Sequence, residues 1–297
     1  MRRLLLLLLF ATSPLFAQDT TNNEQPKVEK DIVFGKGGTT DLHMNLALPA
    51  GKGPFPAVVV IHGGGWKGGS YKDGIMNMIM LRLARQGYVS ASIQYRLTPS
   101  GARFPCQVED CKCAVRWLRG NAEKYHIDPN RIGAIGGSAG GHLVLMLGVT
   151  QKDDSLEGTG DLKPDFAQQP STVQAVVNLF GPSDLTRGDW EPAVEPLLVD
   201  FLGGKVSDKM DLAKKASPLA YVQKDRTIPP ILTFHGTKDN VVPYIHATKL
   251  HQALEEQKRI HKLVTMDGDG HGWMGEKLEK TLSETTNFFD QHLKAKK

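Results

Sequence analysis

The fold of this chain can be inferred from one segment, Arg131-Ile-Gly-Ala-Ile-Gly-Gly-Ser-Ala-Gly-Gly-His-Leu-Val-Leu-Met-Leu147. An Asp-Pro-Asn turn signal precedes it, and its apolar residues up to Ile135 predict a short strand. The apolar run from Leu143 predicts a buried helix. Between them, Gly136-x-Ser138-x-Gly140 has the spacing of a nucleophile elbow, in which a strand turns sharply into a helix. Such a turn would lift the Ser138 hydroxyl clear of the sheet, at the positive end of the helix.

Strands and helices alternate on both sides of this stretch. The run Pro56–Ile61 is continuously apolar and β-branched, which is typical of a strand buried on both faces of a parallel sheet. The alternation predicts an α/β fold, with a mostly parallel central sheet and helices on both faces. Further strands are predicted at 31–34, 42–49, 88–95, 173–180, 230–235 and 260–266. Further helices are predicted at 76–85, from Pro105, at 244–258 and at 276–293.

The first 30 residues predict an export signal and a linker. A basic start at Met1-Arg2-Arg3, an apolar run from Leu4 to Phe10 and a small-residue end at Ala17 are the three regions of a signal peptide. We therefore expect a signal peptide at 1–17, a flexible leader at 18–30 and a periplasmic or extracellular location. One α/β domain is predicted from 31 to 297, with a cap or lid insertion at about 186–221.

Charge and cysteine content limit the partners of the chain. With 36 basic and 32 acidic residues, the formal charge of +4 is too balanced to indicate a nucleic-acid partner or an anionic membrane surface. The three cysteines, Cys106, Cys111 and Cys113, crowd into one predicted helix. Cys111 falls on its apolar face, which indicates core packing, and no histidine follows at the spacing of a metal site.

A glycine-rich loop follows the buried strand at 56–61. It reads His62-Gly-Gly-Gly-Trp66, and three consecutive glycines leave backbone N–H groups uncovered so that a ligand oxygen can approach. In hydrolases a loop at this position donates hydrogen bonds to the oxyanion of a tetrahedral intermediate. Gly64, Gly65 and Ala139 are the predicted donors.

Ser138, Asp239 and His271 occur in the order serine, acid, histidine, and each follows a predicted strand. The carboxyl ends of parallel strands meet at one edge of the sheet, so these three side chains can form a catalytic triad. Asp184 also lies at a strand end and is an alternative acid, although Asp239 is favoured. Asp184 is then expected beside the substrate.

Other acids and histidines of the chain fit other roles better. Asp267 and Asp269 are too close in sequence to His271 to be its usual acid partner. Of the ten histidines, His271 alone lies in a glycine-flanked loop after the last predicted strand. His142 is expected to pack or cap within its helix.

The motifs 62–66, 136–141, 236–239 and 270–273 together resemble those of α/β-hydrolase esterases. Among these, the chain is similar to bacterial feruloyl-esterase-like and acetyl-xylan-esterase-like carbohydrate esterases. It also resembles hormone-sensitive-lipase-like esterases and kynurenine formamidases, which share the His-Gly-Gly loop. One departure is Gly137, where lipase-like relatives usually have Asp or Glu, and it favours the carbohydrate-esterase branch.

The resemblance implies hydrolysis of a carboxylic ester by a serine enzyme without a cofactor or metal. The expected substrates are short-acyl or feruloyl and acetyl esters of carbohydrates. General short-chain carboxylesterase or lipase activity, or an amidase of the formamidase type, remain alternatives. Trp66 and Trp190 are candidates to offer a flat face to a sugar or phenolic group. Charged residues interrupt the predicted cap, so it lacks the continuous apolar face of a lipid-binding lid.

Overall fold

One eight-stranded sheet organises the chain in a computed structural model that describes residues 25–158, 160 and 162–294. Its strands are β1 (Lys27–Gly37), β2 (Thr40–Leu48), β3 (Phe55–Ile61), β4 (Val89–Ile93), β5 (Ile127–Gly137), β6 (Ala175–Leu179), β7 (Ile231–Gly236) and β8 (His261–Met266). They lie in the order β1-β2-β4-β3-β5-β6-β7-β8. β1 and β2 pair antiparallel, as do β2 and β4, whereas the strands from β4 to β8 run parallel. This confirms the predicted α/β fold with a mostly parallel sheet.

Helices cover both faces of the sheet. They are α1 (Gly74–Arg85), α2 (Cys106–Gly120), α3 (Ala139–Val149), α4 (Pro164–Ala167), α5 (Glu195–Leu202), α6 (Met210–Lys215), α7 (Ile245–Glu256) and α8 (Gly275–Leu293). The apolar faces of α1 and α8 form one core, and those of α2, α3 and α7 form the other. β3 contributes side chains to both cores, because Val58 and Val60 point to the first core while Val59 points to the second.

The domain begins earlier than the sequence predicts. Lys27–Lys30 belong to β1, whose residues from Lys27 to Glu29 pair with β2, so the predicted flexible leader at 18–30 extends too far. β1 is an edge strand, and its first residues are half-exposed and polar, which makes them look like a linker in the sequence. The predicted signal peptide at 1–17, and residues 18–24, lie outside the described residues.

The predicted cap at 186–221 lies between β6 and β7 and contains α5 and α6. α5 directs Leu198, Phe201 and Leu202 into the core, which fixes the cap helix against the domain. Cys106, Cys111 and Cys113 carry free thiols, and the last two are buried. Within the part of the chain that the structure describes, no helix has the length and apolar character needed to span a bilayer.

Candidate active site

Ser138 lies on a strained turn between β5 and α3. Its φ of 56° and ψ of −122° are a conformation that a residue with a side chain rarely adopts. The turn closes only because small residues surround it: a Cβ on Gly136 would collide with the Gly140 carbonyl, and a Cβ on Gly140 with the Ile61 carbonyl. The glycines that flank Ser138 in the sequence are therefore a steric requirement of this turn.

A continuous chain of hydrogen bonds joins Ser138, His271 and Asp239. The Ser138 Oγ lies 2.8 Å from the His271 Nε2, and the His271 Nδ1 lies 2.7 Å from the Asp239 Oδ2. Since a carboxylate only accepts, the Nδ1 carries the proton and the Nε2 is free to accept the Ser138 hydroxyl hydrogen. The three residues follow β5, β8 and β7, at the carboxyl edge of the sheet. The structure thus brings together the three predicted triad residues.

Asp239 is held as a carboxylate in a buried position. Burial alone would raise the pKa of its carboxyl, but hydrogen bonds from His235, His271 and the Val242 amide outweigh burial and hold that pKa well below its ordinary value. The Asp239 Oδ1 accepts from the amides of Val241 and Val242, both at 2.9 Å. These bonds fix the carboxylate so that its Oδ2 faces the His271 imidazole.

Asp184, the alternative acid, faces its own turn. Its Oδ1 accepts hydrogen bonds from the backbone amide and the hydroxyl of Thr186, and its amide faces the Nδ1 of buried His246. Among the described residues, the Asp184 carboxylate makes no hydrogen bond to His271 and does not line the cavity beside Ser138. Of the two acids, Asp239 is therefore the one hydrogen-bonded to His271, whereas Asp184 bonds within the turn after β6.

The glycine loop 63–65 lies directly beside Ser138. Gly64 and Gly65 have φ values of 108° and 59°, a region that favours glycine. A Cβ on Gly64 would also collide with the Gly68 carbonyl. Among the described residues, no backbone carbonyl accepts a hydrogen bond from the Gly64 or Gly65 amide. Ala139, the third predicted donor, begins α3 directly after Ser138.

Trp66 points away from solvent, into the core beside α3. It is only 3% exposed, its ring stacks on Phe201 at 4.2 Å, and its Nε1 donates to the His142 Nδ1 at 3.3 Å. The His142 Nε2 in turn donates to the Ala216 carbonyl at 2.7 Å. Trp66 therefore has no free face for the ring of a sugar, and its indole links the glycine loop to the cap through His142.

A large cavity of about 710 Å³ opens at Ser138, and most of its walls are apolar side chains. The sequence indicated Ser138, His271 and the glycine loop, but not these walls. The Phe180 ring packs against the His271 imidazole at 4.7 Å, and the Trp273 ring packs against Phe180 at 5.5 Å. The sequence could have indicated both residues, because Phe180 directly follows β6 and Trp273 is two residues after His271. Further apolar walls come from α1, the cap, α8 and the residue before α8: Ile75, Met76, Ile79, Leu197, Leu278 and Met274.

No group of three or more His, Cys, Asp or Glu side chains within residues 25–158, 160 and 162–294 is arranged to hold a metal ion. The side chains that meet at Ser138 form a continuous chain of hydrogen bonds through His271 to Asp239, with the backbone of the glycine loop beside it. Such an arrangement can activate a hydroxyl as a nucleophile and stabilise a developing oxyanion.

We expect the protein to lose stability between pH 6.5 and pH 4. Burial lowers the pKa of His142 to about 4 and that of His246 and His251 to about 3, from an ordinary value near 6.5. The unfolded chain binds these protons below pH 6.5, whereas the folded chain excludes them until much lower pH. Unfolding therefore becomes easier as pH falls, and at pH 4.5 His142 alone should cost about 2 kcal/mol.

Thermal unfolding measured from pH 7.5 to pH 4.5 tests this expectation. The melting temperature should fall through the window, and it should fall less steeply in a His142→Asn variant, which has no proton to exclude. If the melting temperature falls equally steeply with pH in the two proteins, the low pKa expected for buried His142 is contradicted.

Comparisons with known proteins agree with this geometry. Residues 44–254 match the model of the BD-FAE family. Esterase LipC of Mycobacterium tuberculosis is 34% identical over 230 residues, which are 74% of this chain and 53% of LipC. Esterase LipQ of the same organism is 30% identical over 231 residues, 76% of this chain and 52% of LipQ. The chain thus spans about half the length of these curated relatives.

Solved structures match nearly the whole chain. A truncated carbohydrate esterase from gut microbiota superposes with a TM-score of 0.78 at 28% identity and covers 93% of this chain and 98% of its own. The propionate-bound thermophilic esterase Est2 of Thermogutta terrifontis superposes with a TM-score of 0.74 at 26% identity, over 92% and 97% of the two chains. With its α/β-hydrolase fold and a family match that includes the glycine loop and Ser138, this chain belongs to the BD-FAE family.

Proposed function

We propose that this protein hydrolyses carboxylic esters through an acyl-enzyme formed on Ser138. The observation that carries the proposal is the chain from Ser138 through His271 to Asp239, with hydrogen-bond distances of 2.8 and 2.7 Å at the mouth of a large cavity. The esterase names of the relatives in the family support the same reaction.

In the first half of the reaction, the Ser138 Oγ attacks the ester carbonyl carbon and its proton passes to the His271 Nε2. The Asp239 carboxylate stabilises the imidazolium that forms. The carbonyl oxygen becomes an oxyanion, which the amides of Gly64, Gly65 and Ala139 stabilise. When the tetrahedral intermediate collapses, the bond to the alcohol oxygen breaks and His271 returns the proton to that oxygen.

In the second half, water replaces the alcohol. His271 takes a proton from the water as its oxygen attacks the acyl carbon, and a second tetrahedral intermediate uses the same amides. Collapse breaks the bond to Ser138, whose oxygen recovers its proton from His271. The products are a carboxylic acid and an alcohol, so the cycle needs no oxidant, metal or cofactor.

The structure of the cap favours esters with a short acyl group as the substrates. α5 directs Leu198, Phe201 and Leu202 into the core, so its apolar side is already used and cannot lie on a lipid surface. The propionate in the matched Est2 structure supports a small acid product. The matched carbohydrate esterase supports a carbohydrate-derived alcohol.

An exported location fits such a substrate. The proposal rests on the basic start, apolar run and small-residue end of residues 1–17. Cleavage after Ala17 would release the enzyme outside the cytoplasm, where esters derived from polysaccharides are met.

We expect the enzyme to prefer short over long acyl chains. Across p-nitrophenyl esters from acetate to palmitate, kcat/KM should be highest at the short end and fall by at least about 10-fold towards the long end, because each extra methylene must find room or displace packed side chains. Steady-state kinetics on this series, together with acetylated xylan and methyl ferulate, provide the measurement. A maximum at palmitate would make the protein a lipase.

A further inference from the structure

Two compartments of very different size meet at Ser138. The large cavity, about 710 Å³, borders His271, Gly272 and Trp273. The small crevice, about 20 Å³, lies on the other side and borders Ala139, Trp66 and Trp190. Since both compartments border Ser138, an ester whose carbonyl carbon lies at the Ser138 Oγ can place one of its two halves in each.

Proton transfer decides which half lies where. The leaving oxygen must receive its proton from the His271 Nε2, and His271 borders the large cavity but not the small crevice. On the basis of the hydrolysis proposed above, we propose that the large cavity binds the alcohol and that the small crevice binds the acyl chain. The substrate class is then an acetate ester of a bulky alcohol that presents an apolar face.

The volumes support this orientation. A space of about 20 Å³ holds a single water-sized group, which matches the methyl group of an acetyl chain. Packed aromatic rings form part of its wall, since Trp66 stacks on Phe201 at 4.2 Å and Trp190 lies against His246 at 4.7 Å. An aromatic acyl group such as feruloyl would have to displace them. The large cavity can instead receive a ring against Phe180 and Trp273.

Leu197 divides the two compartments. It borders both, as do Gly65, Ser138 and Val241, and its side chain lies on the glycine loop so closely that a Cβ on Gly65 would be 2.7 Å from its Cδ1. α5 holds Leu197 in place because the neighbouring Leu198 is fully buried. We assign Leu197 as the residue that limits the length of the acyl chain.

A pair of isomeric esters tests the orientation. Benzyl acetate carries its ring on the alcohol side, whereas methyl phenylacetate carries it on the acyl side, and the two leaving alcohols have similar acidity. We expect kcat/KM for benzyl acetate to exceed that for methyl phenylacetate by at least about 10-fold. Equal values, or a preference for methyl phenylacetate, would overturn the orientation.

Substitution of Leu197 tests the divider. In a Leu197→Ala variant, the ratio of kcat/KM for p-nitrophenyl hexanoate to that for p-nitrophenyl acetate should rise about 10-fold, with a smaller rise in Leu197→Val. The matched control is Leu278→Ala, which removes a leucine that borders the large cavity alone and should leave this ratio unchanged.

The outcomes separate this inference from the proposed function. A wild-type protein without esterase activity would refute the function itself. If the wild type is active but Leu197→Ala and Leu197→Val have the same hexanoate-to-acetate ratio as the wild type, the role of Leu197 is refuted and the proposed function is not. An equal rise of this ratio in Leu278→Ala would also refute the role of Leu197. Circular dichroism and thermal unfolding of each variant establish that the compared proteins are folded.

Discussion

Replacement of Ser138 by alanine is expected to lower kcat by about 10⁶-fold while the protein stays folded. The hydroxyl is the only group removed, so the proposed acyl-enzyme can no longer form. Among the described residues, the Ser138 Oγ makes one hydrogen bond, at 2.8 Å to the His271 Nε2, so the variant loses this bond and keeps the atoms that form the backbone contacts of the turn. Hydrolysis of p-nitrophenyl acetate, with thermal unfolding measured in parallel, gives the result.

Ser155→Ala is the matched control for this experiment. Ser155 is exposed and also has a φ of 56°, so the control places alanine at a positive φ without touching the candidate site. Mass spectrometry after treatment with diethyl p-nitrophenyl phosphate adds a second readout, since the wild type and Ser155→Ala should gain one phosphoryl adduct and Ser138→Ala should gain none. Near-wild-type turnover of Ser138→Ala would refute the acyl-enzyme mechanism.

The central strands and the elbow could be predicted because local sequence determines them. β3 is a continuous apolar run, and the glycines around Ser138 are those that the turn requires sterically. Ser138, Asp239 and His271 each follow a predicted strand, and in a parallel sheet the ends of these strands lie at the same edge. Short-range pattern and topology together were sufficient to predict this much of the candidate site.

Features set by packing between distant segments were not predictable. Trp66 follows the glycine loop in the sequence, but its φ of 56° and its contact with Phe201 of the cap turn the ring into the core. Leu197 looks like any other apolar residue of α5, and only the fold places it between two compartments. The early start of β1 was hidden because an edge strand with exposed polar residues looks like a linker.

Asp239→Asn should cost about 10⁴-fold in kcat, and the structure indicates why. The amides of Val241 and Val242 both donate to the Oδ1, so an asparagine would keep its carbonyl oxygen there and turn its NH₂ group towards His271. The His271 Nδ1 must then accept instead of donate, which moves the ring proton to the Nε2. An Nε2 that already carries a proton cannot take one from Ser138, so the fold stays intact while the first step fails.

Asp184→Asn distinguishes this explanation from a general effect of removing a carboxylate after a strand. Asp184 bonds to Thr186 and makes no contact with His271 among the described residues, so its amide variant should lose far less activity than Asp239→Asn. The pH profile adds an independent criterion, because hydroxide can take over part of the proton abstraction and the deficit of Asp239→Asn should shrink as pH rises. If Asp184→Asn shows the larger loss, Asp184 is the acid and the bond from Asp239 to His271 has only a structural role.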